Sequence, residues 1–175
     1  MAEAISLDKK RIVIGLKGDV DPFPDMKKIV RKTSYGMEID LYDMPVDLEI
    51  NPASEEVYRI DTREIQPCLC GKDVAVIINL IENERFWECH EFMEDQWKTL
   101  HGEKRELLHL IIRLVVSQVK WQMGQPEVSR RIMKETLEKI GELLGTPQED
   151  LIYGLPYPIR PAPKLKNLLD QIYMN

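Results

Sequence analysis

Residues 103–123 read EKRELLHLIIRLVVSQVKWQM. Laid on a helical wheel, the apolar residues from Leu107 to Val119 occupy most of the circumference, as expected of a central helix wrapped by neighbours rather than one lying on a surface. Glycine at 124 stops it. This stretch points to helical surroundings, because a helix apolar around most of its circumference must be covered by others. It is interrupted by His109 and Arg113 and falls short of the roughly 20 apolar residues needed to cross a bilayer, so no membrane span is expected.

Outward on both sides the same period continues. Val74, Ile77, Ile78, Leu80 and Ile81 predict a helix over about 72–83, and a second is predicted over about 84–100. Pro126 opens another helix at a first-turn position, and Ile132, Met133, Leu137, Ile140 and Leu144 line one face of it up to Gly145. Residues 71–145 thus form an all-α, bundle-like domain. Residues 146–175 follow as a Pro-rich strap, GLPYPIRPAP over 154–163, expected to wrap its own domain, with a last amphipathic helix through Leu165, Leu168, Leu169 and Ile172.

Before residue 71 the period is two. Arg11–Leu16, Met37–Tyr42, Leu48–Ile50 and Val57–Ile60 read as strands, and Pro24–Lys32 as a short helix between the first two. Residues 1–70 are therefore expected to fold as a small α+β module of three or four strands, giving an α+β chain overall. So small a sheet needs a covering layer, and the helix beginning near residue 72 is the natural one.

The 175 residues are 43% apolar and 31% charged, the balance of a globular chain able to bury a core. A net charge of -6 disfavours direct nucleic-acid binding without excluding it, and the basic residues Lys27, Lys28, Arg31, Lys32, Arg130 and Arg131 read first as solvated faces. The start, MAEAISLDKK, lacks an apolar core behind a basic head, so no secretory signal is expected and the cytoplasm is the default location.

Chemistry concentrates in Arg85-Phe86-Trp87-Glu88-Cys89-His90-Glu91-Phe92-Met93-Glu94-Asp95-Gln96-Trp97. At 100° per residue, Phe86, His90, Glu94 and Trp97 share a face with Met93 beside them, so His90 and Glu94 are expected to be buried and to share a polar partner. The tryptophans read as core or interhelix packing. Zinc-peptidase H-E-x-x-H is excluded by glutamate at 94, and a di-iron Glu-x-x-His by Trp87. Cys68, Cys70, Cys89 and His90 supply four zinc-type ligands, but C-x-C is not the usual knuckle, and cysteines are more often small core residues. No phosphate loop, nucleophile elbow or dinucleotide fingerprint is present.

His90-x-x-x-Glu94-x-x-Trp97, with Phe86-Trp87-Glu88 before it and Gly102-Glu103 and a long apolar helix ending at Gly124 after it, resembles the helical family called domain of unknown function 309, over about residues 72–145. The resemblance implies a compact helical domain, associates the His/Glu/Trp signature with metal binding, and implies no known reaction. In the family the long helix carries inward glutamines and a late histidine, where this chain has His109, Arg113 and Lys120. Arg113 is accordingly expected to face Glu94 as an internal salt bridge in place of a metal, in which case Glu94→Ala costs on the order of 3 kcal/mol.

Two functions follow as expectations. The first is a cytoplasmic, non-catalytic binding platform without cofactor. Its signature residues are Trp87, His90, Glu91, Glu94, Trp97, His109 and Arg113, and its N-terminal module and strap engage a protein or ribonucleoprotein partner; oligomerisation is left open. The alternative is a metal-assisted or acid/base enzyme of hydrolase type, with His90 and Glu94 as catalytic residues or ligands of a divalent ion.

Overall fold

The computed structural model describes residues 11–17, 21, 23–42, 56–61, 73–145 and 150–173. The chain divides into two compact units, Met1–Gln66 and Pro67–Asn175.

In the first unit, β1 (Arg11–Lys17), β2 (Lys28–Thr33), β3 (Gly36–Tyr42) and β4 (Glu56–Asp61) form an antiparallel sheet in the order β2-β3-β1-β4. The register places Ile14 opposite Ile39 and Leu16 opposite Met37, so one face carries Ile14, Leu16, Met37, Ile39 and Leu41, covered by Phe23 and partly by Met26. The helix expected over 24–32 is instead strand β2. Its β-branched Ile29 and Val30 suit a pleated surface, and Arg31 lies directly opposite Glu38. Arg31, wholly buried, hydrogen-bonds Glu38 and, at 2.5 Å, Asp40. The strand expected at Leu48–Ile50 lies outside the described residues.

The second unit follows the helical periodicity. It comprises α1 (Asp73–Glu82), α2 (Phe86–Trp97), α3 (Gly102–Gln122), α4 (Pro126–Leu144), the two-residue strands β5 (Ile152–Tyr153) and β6 (Arg160–Pro161), and α5 (Pro163–Tyr173). Pro126 stands at the start of α4, and Gly145 ends it in the left-handed conformation at φ 66°, both as the sequence predicts. Helix α3 packs against α2, α4 and α5 and buries Leu107, Leu108, Leu110, Ile111, Ile112, Leu114, Val115 and Val119, which makes it the central helix. Helix α1, the expected cover for the sheet, has α2, α5 and β6 packed on it within its own unit.

The strap wraps its unit, and glutamines hold it there. Between β5 and β6 it passes two cis peptides, Leu155-Pro156 and Tyr157-Pro158. Gln118 of α3 donates to the Pro156 carbonyl at 3.0 Å and accepts from the Ile159 N–H at 3.1 Å. One turn on, Gln122 donates to the Glu84 carbonyl at 2.8 Å and lies 3.3 Å from the Tyr157 hydroxyl, which itself donates to the Glu84 carboxylate at 2.6 Å. Tyr157 stacks on Trp121 with the rings 3° from parallel, and Phe86 meets it edge-on. Gln118, Gln122 and Glu84 are all buried. The long helix thus does carry inward glutamines, at Gln118 and Gln122. His109, Arg113 and Lys120 are not their substitutes, because His109 is exposed and the other two are only partly buried.

Candidate functional site

Helix α2 buries Phe86, Cys89, Phe92 and Met93, and this quartet sets its inward direction. On the wheel the centre of that arc lies near Cys89, roughly 100° from His90, one residue's worth of rotation. His90, Glu94 and Trp97 therefore sit along the edge of the packed face instead of at its middle. The side chain of His90 is 16% exposed and that of Glu94 49%. Joint burial of the two, expected from the Phe86–Trp97 stripe, does not occur. Of Phe86 and Trp97 only Phe86 lies on the packed face, and Cys89 and Phe92 shift the stripe toward themselves.

At that edge the pair is coherent. His90 Nε2 lies 3.3 Å from Glu94 Oε1, one turn along, and Nδ1 lies 3.1 Å from the Trp87 carbonyl. A carbonyl only accepts, so Nδ1 is the N–H that donates. The imidazole also meets the Trp87 indole edge-on, with centroids 5.3 Å apart. Trp97, half-buried, is flanked from α3. The Arg105 guanidinium carbon stands 4.3 Å from its ring centroid, and the His109 ring lies tilted at 5.6 Å. The Trp97 indole N–H is buried and has no hydrogen-bond partner. Trp87, His90, Glu94, Trp97, Arg105 and His109 thus form one outward strip of partly exposed aromatic and charged groups on packed helices. Glu91 belongs to the same side of α2 and is half-buried.

Arg113 does not join Glu94. It pairs with Glu135 of α4 at 3.3 Å, both side chains being substantially exposed, so the internal salt bridge expected from the sequence is replaced by a surface pair between α3 and α4. Nor is Glu94 the partner of a buried cation, which removes the basis for a 3 kcal/mol cost on truncation. Such a half-exposed pair contributes about 0–1 kcal/mol.

The donor set does not fit a resident metal ion. His90 and Glu94 supply two ligands, and among the described residues no three His, Cys, Asp or Glu side chains converge. Structural zinc takes four protein ligands and catalytic zinc three. Cys89 is fully buried at the centre of the packed face, with Sγ 3.9 Å from the Ile77 carbonyl. Burial, and then Glu88, push its thiol pKa far up, opposed by Arg85, which makes it an inert core residue. Cys68 and Cys70 lie outside the described residues.

Three of the basic residues read from the sequence as solvated faces have partners. Arg31 is buried among carboxylates, Lys28 pairs with Asp21 at 2.7 Å, and Arg130 pairs with Glu127 and stands 5.0 Å over Trp121.

Sequence reasoning missed the clasp of Glu84, Gln118, Gln122 and Tyr157, as well as the Arg31 triad and the Arg105–Trp97 contact. Gln118 and Gln122, one turn apart on an otherwise apolar helix, were the available signal for the first, since buried amides demand partners. Two further groups on α2 break that rule. Both carboxylate oxygens of Glu88 and both amide atoms of Gln96 are buried without a partner.

Residues 75–132 match the family model for a domain of unknown function (DUF309), a segment running from within α1 into α4 and containing the whole outward strip. Neither the curated proteins nor the solved structures yielded a match.

Proposed function

We propose that the protein is a non-catalytic binding platform whose outward strip on α2 and α3 docks a protein, or the protein part of a ribonucleoprotein. The observation that carries this reading is Trp97, held half-buried between Arg105 and His109 on a rigid helix pair. Tryptophan and arginine presented together on a fixed surface are the residue types that dominate interface energies. Trp87 and His90 extend the strip along α2. The strap supports the platform by being clasped shut, and the N-terminal sheet unit supplies a second contact. The test is affinity capture from native extract with the tagged full chain, comparing wild type with Trp97→Ala and, for the second contact, Lys27→Glu. Loss of the captured partner in Trp97→Ala, with an unchanged melting temperature, supports the reading. Identical capture by that variant overturns it.

His90 and Glu94 also support a second reading, a general acid/base enzyme of hydrolase type. The two groups stand 3.3 Å apart and reach solvent, so they can exchange a proton with a bound molecule. Turnover of chromogenic esters or phosphoesters that disappears in both His90→Gln and Glu94→Gln supports it. Turnover unchanged in either variant removes it.

A further inference from the structure

A groove of about 330 Å³ lies between α4 and the strap, lined by Arg130, Met133, Lys134, Leu137, Glu138 and Leu155. It is independent of the α2–α3 strip. Its apolar lining is Met133, Leu137 and Leu155, and Leu155 is 53% exposed, with Tyr153 two residues earlier on the same strap 56% exposed. Exposed apolar residues scattered singly need no explanation, but a leucine bordering a cavity on a rigid support is different.

The support is rigid for reasons on both sides of Leu155. Gly154 holds φ 79°, and a Cβ there would stand 2.2 Å from the Pro158 carbonyl oxygen, so the strap is pressed against itself at that point. On the other side the Pro156 carbonyl is held by Gln118 at 3.0 Å. Leu155 is thereby presented in one place before anything binds, which reduces the ordering cost of association.

Charge selects the occupant. Arg130 and Lys134, one turn apart on α4, stand on the rim with Glu138. Their pairs with Glu127 and, at 4.0 Å, Glu138 are between exposed side chains. Such pairs are worth little and are readily exchanged for others. The groove is open along one side, so a flexible acyl chain laid in it would keep one flank in water, whereas a helix brings its own cover. We infer that this groove docks an amphipathic helix of a partner protein, its leucine-type anchors on Met133, Leu137 and Leu155 and its acidic residues, spaced one turn apart, on Arg130 and Lys134.

The probe is a fluorescein-labelled synthetic helix with leucine at i, i+3, i+4 and i+7 and glutamate elsewhere, titrated into the full chain and read by anisotropy. Its counterpart carries lysine for glutamate. Binding of the acidic peptide at least tenfold tighter than the lysine form is expected. Lys134→Glu should narrow that ratio, and Leu155→Ser should weaken acidic-peptide binding about tenfold with no change in melting temperature, since Leu155 is exposed. Trp97→Ala should leave it unchanged, which separates this site from the α2–α3 strip. Equal affinity for the two peptides overturns the inference. So does competition by dodecanoate at concentrations that leave the peptide helical, which assigns the groove to lipid. Concentration-dependent dimers abolished by Leu155→Ser, seen by sedimentation without peptide, overturn it in favour of self-association.

Discussion

The clasp behind the strap and the strip along α2 are both polar sites beside aromatic rings, yet they are built on opposite rules. At the clasp, Gln118, Gln122 and Glu84 are buried and, with the half-buried Tyr157, hydrogen-bond across three segments far apart in sequence, although Gln122 Oε1 has no partner. At the strip, His90 donates to the Trp87 carbonyl within its own helix and stands 3.3 Å from Glu94, and Trp97 meets Arg105 and His109 near the surface. Polar groups sealed inside contribute to stability through their mutual satisfaction, because losing one strands the others. Polar groups left half-open contribute little to folding and remain available to a ligand. The same unit thereby separates what holds it together from what it offers to others.

The largest effect is expected where a sealed charge loses its partner. Arg31→Ala leaves Glu38 and Asp40 buried without their guanidinium and should cost about 3–5 kcal/mol in the N-terminal unit, measured by urea denaturation followed through the sheet's backbone signal. A cost below about 1 kcal/mol would place those carboxylates in water and break the contrast.

Gln118→Ala comes next. It strands the Ile159 N–H and the Pro156 carbonyl together and should cost about 3 kcal/mol. Proteolysis should then cut within residues 154–163 at protease concentrations that leave wild type intact. Protection equal to wild type would mean that packing alone retains the strap.

Asp73 sharpens the comparison through pH. It is buried at the start of α1, one carboxylate oxygen has no partner, and burial raises its pKa above the ordinary 3.8. The folded chain therefore holds this proton at pH values where the unfolded chain has lost it. Its contribution to stability is present below 3.8 and falls as pH rises toward the raised value. Asp73→Asn should be more stable than wild type at pH 7, by about 1 kcal/mol, with the difference vanishing near pH 3.5. An Asn variant less stable at pH 7 would show that the charged form is wanted.

The smallest effect belongs to the strip. Glu94→Ala removes a half-exposed pair and should change stability by less than about 0.5 kcal/mol.

Much of this was legible in the sequence because period is a local property. The helical starts and stops at Pro126, Gly124 and Gly145 fall where the residues place them, and β1, β3 and β4 follow their alternation. What was not legible depends on contacts between distant residues. Lys28–Thr33 has charges and β-branches that suit either a short helix or a strand, and only Glu38 and Asp40 on the neighbouring strand decide it, by receiving Arg31. His90 and Glu94 were placed on the packed face by a stripe through Phe86 and Trp97, and a rotation set by Cys89 and Phe92 moved them to its edge. Sequence spacing does not distinguish Glu94 from Glu135 as the partner of Arg113. The partners of Gln118 lie about 40 residues downstream, in a strap whose path no periodicity reveals.

The division of labour between clasp and strip is tested most directly by urea denaturation of Gln118→Ala and Glu94→Ala side by side on the full chain. A loss of about 3 kcal/mol for Gln118→Ala, with Glu94→Ala inside about 0.5 kcal/mol of wild type, is the expected result. A Glu94→Ala variant as destabilised as Gln118→Ala would contradict it, because the strip would then be part of what holds the fold together.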